Sequence, residues 1–197
     1  MTKQRPPLHT PTLKERLTGK VDALELLTQD HRKVQKLFRE FQDVVENDDL
    51  NLERKNAIVR QACEELIIHE IIEDEIFNPA VFIAVGSSEV MDEAQVEHDM
   101  VRGLIEQLKF MEAGDELFDA KFIVLGEAMN HHIRAEEEDI FALVRQSDID
   151  LDLLGRRLEA RKQELLLARG MNTDYDRDIN LMSPHAKAVL TKEGLLP

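Results

Sequence analysis

Between residues 20 and 146 apolar side chains return at alternating steps of three and four, the interval that keeps them on one face of an α-helix. Four such lines can be drawn. The first runs Leu24, Leu27, His31, Val34, Phe38, Phe41, Val45, and the second Ala62, Leu66, His69, Glu73, Ile76, Ala80. The third is Met91, Ala94, His98, Val101, Ile105, Leu108, and the fourth Phe122, Leu125, Met129, His132, Glu136, Ile140, Leu143. The lines predict helices over about 20–46, 52–84, 89–112 and 116–146, and a fifth pattern predicts one over about 149–169.

The breaks between lines agree with this reading. Asn47-Asp48-Asp49 interrupts the first pair, Gly86-Ser87-Ser88 offers an N-cap to the third helix, and Gly114-Asp115 offers a C-cap followed by an N-cap. Gly170 closes the fifth helix, and Ser183-Pro184 opens a last short one. Connections this short make neighbouring helices antiparallel. The expected fold is therefore all-α, an antiparallel up-down four-helix bundle with an additional C-terminal helix and tail. An irregular arm occupies 1–18, the bundle 19–146, and the helix with its polar tail 147–197.

Each of the four lines carries one histidine, and two carry a glutamate one turn later. The other positions are apolar. Burying ionised carboxylates among leucine and isoleucine costs several kcal/mol unless something compensates. A metal centre answers that cost, with His31, His69, Glu73, His98, His132 and Glu136 as its candidate ligands. Imidazole and carboxylate donors suit iron, manganese or zinc. Two ions fit better than one, because His69 with Glu73 and His132 with Glu136 each stand at i and i+4 on one helix face, leaving each carboxylate free to lie between two ions.

An internal echo supports a pseudo-symmetric site: HEIIEDEIF at 69–77 against HIRAEEEDIF at 132–141. His131 points about 100° from His132 and reads as solvent-facing or as a neighbour of a ligand. His9 and His185 read as solvated. The acids Glu70, Asp74, Glu75, Glu137 and Glu138 read mostly as surface. Asp30 and Glu97 precede ligand histidines and could accept a ring N–H from a neighbouring helix, as a backbone carbonyl also could.

Composition narrows the partners. Forty acidic against 25 basic residues give a formal charge of −15, a field that repels nucleic acid and anionic membrane surfaces. The single cysteine, Cys63, allows no intrachain disulfide and reads as a packed side chain. No apolar run spans a bilayer and no export signal opens the chain, so the expected setting is cytoplasmic.

The stretches LLTQDHRKVQKLFREF, HEIIEDEIFNPA, EHDMVRGLIEQL and NHHIRAEEEDIF together resemble the hemerythrin family, in its HHE cation-binding branch, over roughly residues 22–145. The resemblance implies that the six candidates are ligands of two non-haem irons with an oxo or hydroxo bridge, zinc or manganese being substitutes. Oxygen-carrying hemerythrins place a second histidine one turn after the first on the third helix, where this chain has Arg102. After the fourth-helix histidine they place Asp at i+5, where this chain has Glu at i+4. Both differences point away from reversible oxygen carriage.

The resulting expectation is a di-iron protein that binds or reacts with dioxygen, hydrogen peroxide or nitric oxide, in oxidative or nitrosative stress response or iron homeostasis. The alternative is a non-enzymatic oxygen or iron sensor that signals through residues 147–197. A ferritin-like oxidase fits less well, because those bundles use Glu-x-x-His, with the glutamate first and a spacing of three.

Overall fold

The structure, a computed structural model, describes residues 21–47, 51–86 and 89–169. The expected N-terminal arm, Asp48-Asp49, the N-cap at Ser87-Ser88, the closing Gly170, the last short helix expected from Ser183-Pro184, His9 and His185 lie outside the described residues. The described residues are helical, with short links. Helix α1 is Ala23–Glu46, and α2 runs as Leu52–Ile72, a wider turn Glu73–Phe77, and Asn78–Val85. Helix α3 is Glu89–Leu108, α4 runs as Phe118–Ala135, a second wide turn Glu136–Ile140, and Phe141–Gln146, and α5 is Leu151–Ala168.

Local chemistry sets the starts. Asp22 Oδ1 accepts from the amides of Leu24 and Glu25, Asn51 from Arg54, and Asp150 from Leu153, each satisfying a donor that the first turn leaves unpaired. The link before α4 departs from expectation. Helix α3 ends at Leu108, so Gly114, at φ 103°, lies within a loop rather than at a helix end. Asp115 accepts from the Glu112 amide instead of capping α4, whose first residue follows Leu117 at φ 69°. Asn56 of α2 holds this loop in place by accepting from the Ala113 amide at 2.7 Å.

Helix α1 packs on α2 and α4, α3 on α4 and α2, and α5 on α1 and α2. Two apolar blocks form. The larger joins Phe38, Phe41, Leu66, Ile105, Phe122 and Leu125, and encloses Cys63, whose thiol burial pushes up to about 12. The smaller joins Leu24, Leu27, Phe77, Phe141, Leu154 and Leu158. The six candidate ligands, all buried, lie on the same helix faces at the boundary of these blocks.

The wide turns change the core line at a defined place. The amide of Asn78 bonds the carbonyl of Glu73, and that of Phe141 the carbonyl of Glu136, each five residues back instead of four. One residue is thereby inserted into each helix. Beyond Glu73 the buried positions are Phe77 and Val81, not the expected Ile76 and Ala80. Beyond Glu136 they include Val144, not Leu143. Among the described residues no helix is long and apolar enough to cross a membrane.

Candidate metal centre

The six residues meet as two histidine pairs. His31 and His69 face each other with Nε2 atoms 3.2 Å apart, and His98 and His132 do the same at 3.1 Å. Glu73 stands between the pairs, with Oε1 3.2 Å from His69 Nε2 and Oε2 3.4 Å from His98 Nε2. Glu136 Oε2 lies 3.1 Å from His31 Nε2. Donor atoms of His31, His69, Glu73 and Glu136 all fall within 4.8 Å of one another, as do those of Glu73, His98 and His132. Glu73 belongs to both groups.

The outer ring nitrogens face acids, and the acids come from neighbouring helices in rotation. Glu137 of α4 lies 2.8 Å from His31 Nδ1 of α1, and Glu97 of α3 lies 2.9 Å from His132 Nδ1 of α4. Asp30 of α1 stands 3.8 Å from His69 Nδ1 of α2, and Asp74 of α2 stands 3.5 Å from His98 Nδ1 of α3, beyond hydrogen-bond length for the latter two. Carboxylates so placed draw the ring proton to Nδ1. The inward Nε2 atoms of each pair approach within 3.2 Å of one another.

Four ring nitrogens turned inward beside two carboxylates suit a cation between them, and other features of the site agree. Glu73 Oε1 and Glu136 Oε2 are buried with no hydrogen-bond partner. Burial and the charge of Glu136 push the Glu73 carboxyl well above its usual range. Burial also opposes ionisation of Glu136, but His31 and its neighbours His69 and His132 bring it down to about 2. Burial lowers His69 to about 4, so this ring is neutral and available as a donor at neutral pH. Four buried imidazoles and two buried carboxylates, with Glu73 Oε1 and Glu136 Oε2 lacking hydrogen-bond partners, fit a metal ion of the iron, manganese or zinc type.

Three readings of the flanking residues change. Glu70, expected at the surface, is buried; Arg102 Nε donates to its Oε2 at 3.3 Å, while Oε1 has no partner. Asp74 and Glu137 are half-buried and turn inward to histidines. Asp30 and Glu97, left open between two roles, are the acids that face His69 and His132. Arg102 leaves the core face as its chemistry requires, reaching Asp74 at 3.1 Å and Asp99 at 3.3 Å as well as Glu70. His131 is 73% exposed and touches Glu97 at 3.4 Å.

Comparison with known proteins agrees with this geometry. The profile of the hemerythrin HHE cation binding domain matches residues 22–144. The fold is that of a hemerythrin HHE cation binding domain-containing protein from Mycobacterium kansasii, with a TM-score of 0.61, 24% identity, and 74% of this chain and 87% of that one covered. A DNA nickase from Nostoc sp. is 27% identical over 123 residues, which are 62% of this chain. The chain spans about a third of that relative's length, 33%.

Proposed function

The chain belongs to the hemerythrin HHE cation-binding family, and from that premise we propose that it is a non-haem di-iron protein that binds or reacts with dioxygen, hydrogen peroxide or nitric oxide. Its role lies in oxidative or nitrosative stress defence or iron handling. His31, His69, Glu73 and Glu136 would hold one iron, and His98, His132 and Glu73 the other. The observation that carries this reading is Glu73, whose two oxygens face histidines of opposite pairs at 3.2 and 3.4 Å. Iron so held would supply one-electron redox chemistry and a coordination position for a small molecule.

The protein's own residues limit what arrives there. A cavity of about 20 Å³ opens between α3 and α4, with Val90, Ala94 and Ala135 on its wall and His132 and Glu136 at its inner side. That volume holds about one water-sized molecule, so a diatomic or peroxide suits it and an organic substrate does not. Glu97 and His131 at its lining supply polar groups that can hand over a proton. Arg102 cannot add a nitrogen ligand, because its guanidinium stays protonated and has no lone pair.

The relative's nicking activity is not carried over, since the match covers a third of that protein and a charge of −15 repels a phosphate backbone. The reading carries no nucleic-acid or membrane partner and a cytoplasmic setting. Anaerobic reconstitution with ferrous iron, followed by elemental analysis, is expected to give about two irons per chain. Exposure to oxygen is then expected to oxidise the iron irreversibly. A folded protein that takes up no iron overturns the reading, and colourless ferrous protein recovered simply by removing oxygen makes it a carrier.

A further inference from the structure

Helix α5 lies beyond the segment that matches the family, yet it reaches the candidate centre. Leu154 and Leu158 are buried in the smaller apolar block. Gly155 lets α5 approach the start of α1 so closely that a Cβ there would fall 1.9 Å from the Val21 carbonyl oxygen. The approach brings Lys162, 15% exposed, onto Asp30, and its Nζ donates to Asp30 Oδ1. The other oxygen, Oδ2, is buried, makes no hydrogen bond and faces His69 Nδ1. On the preceding residue Arg161 grips Glu75 with two bonds of 2.7 and 3.1 Å, tying α5 also to the wide turn that begins at Glu73.

We propose that Lys162 is a positioning residue of the His31/His69 half of the centre, acting through Asp30 on His69, and that docking of α5 and metal occupancy in that half are coupled. The inference rests on the metal-centre reading. A buried carboxylate with no cation beside it swings outward or takes up a proton. Lys162 holds Asp30 by one oxygen and leaves the second facing His69 Nδ1 at 3.8 Å, where its charge favours a proton on Nδ1 and leaves His69 Nε2 toward Glu73 and His31. Groups that orient a ligating histidine in this way commonly change metal affinity by about 10–100-fold. The coupling is reciprocal, so an ion in this half must favour the docked helix as much as the docked helix favours the ion.

The test uses the full chain with Lys162→Met and Lys162→Arg. Each is loaded anaerobically with ferrous iron, its iron affinities are measured by chelator competition, and amide exchange is followed over residues 151–168. In Lys162→Met one of the two affinities is expected to fall by about 10–100-fold while the other holds. Lys162→Arg, which keeps the charge, is expected to recover most of the loss. Iron is expected to slow exchange in α5 of the unaltered protein and of Lys162→Arg, and not in Lys162→Met. Two wild-type affinities in Lys162→Met, with the iron-dependent protection of α5 intact, overturn the inference and leave the metal centre standing. Failure of the unaltered chain to bind iron overturns the metal centre itself.

Discussion

The two halves of the polar layer have equivalent histidines and differ in their surroundings. His31 and His69 are enclosed: Phe141 stacks on His31 with ring centres 6.1 Å apart, and α5 lays Lys162 over Asp30. His98 and His132 belong to α3 and α4, between which the small side chains of Ala94 and Ala135 leave a gap and Glu97 and His131 reach solvent. The repeated residues, His with Glu one turn later, set the donor atoms. The unrepeated residues around them set access. On the reading proposed above, one half would hold an ion tightly and the other would admit a small molecule.

The largest expected effect tests what the halves share. Glu73 faces both histidine pairs, so Glu73→Ala should lower iron from about two per chain to well below one by elemental analysis. Glu136 has a short contact with the enclosed pair, at 3.1 Å from His31. Glu136→Ala should therefore retain about one iron, in the open half. Equal losses in both variants would dissolve the distinction between the halves.

Metal removal comes next. With no cation the layer holds four crowded imidazoles and the unpartnered oxygens of Glu73 and Glu136 against an apolar core. An ion bound at a concentration of about 100 times its Kd adds roughly 2.7 kcal/mol, or about 5–10 °C in a domain of this size. Calorimetry before and after chelation measures it. The enclosed half should resist chelator longer than the open one, giving two release phases.

Access separates the halves more subtly. Ala94→Leu fills the gap between α3 and α4 and leaves every proposed ligand in place. Iron content should stay the same while azide or nitric oxide binds roughly tenfold more slowly by stopped-flow absorption, since the cavity holds only about one small molecule. An unchanged rate would place the route elsewhere.

Much of this arrangement was legible from spacing, and what was not has two causes. The three-four rhythm located all six buried candidates because His-to-Glu pairs at i and i+4 lie within regular α-helix. It then failed by one residue beyond Glu73 and beyond Glu136, where each wide turn inserts a residue and moves the core from Ala80 to Val81 and from Leu143 to Val144. No rule of period 3.6 can announce such a turn. The acids at the histidine Nδ1 atoms were legible only in part, Asp30 and Glu97 being left open between two roles and Asp74 and Glu137 read as surface. Asp30, Asp74, Glu97 and Glu137 adjoin candidate ligands in sequence, yet each serves a histidine on another helix, so their role exists only after the helices pack. A usable signal was present: an acid directly before the histidine on α1 and α3, and directly after the glutamate on α2 and α4.

His131 gives the smallest effect and the sharpest check on helix phase. It is next to His132 in sequence, but a step of one residue turns the side chain about 100° around the helix. His132 is buried and its Nε2 faces His98, whereas His131 is 73% exposed and contacts Glu97 Oε1 at 3.4 Å. Glu97 thus spans the two histidines, with its Oε2 2.9 Å from His132 Nδ1. Removing an exposed partner of this kind alters stability by no more than about 0.5 kcal/mol. His131→Ala should therefore keep both irons and melt within about 2 °C of the unaltered protein. His132→Ala should lose the iron of the open half. If His131→Ala stripped the iron while His132→Ala kept it, α4 would be turned by one residue and the open half would be built from different side chains.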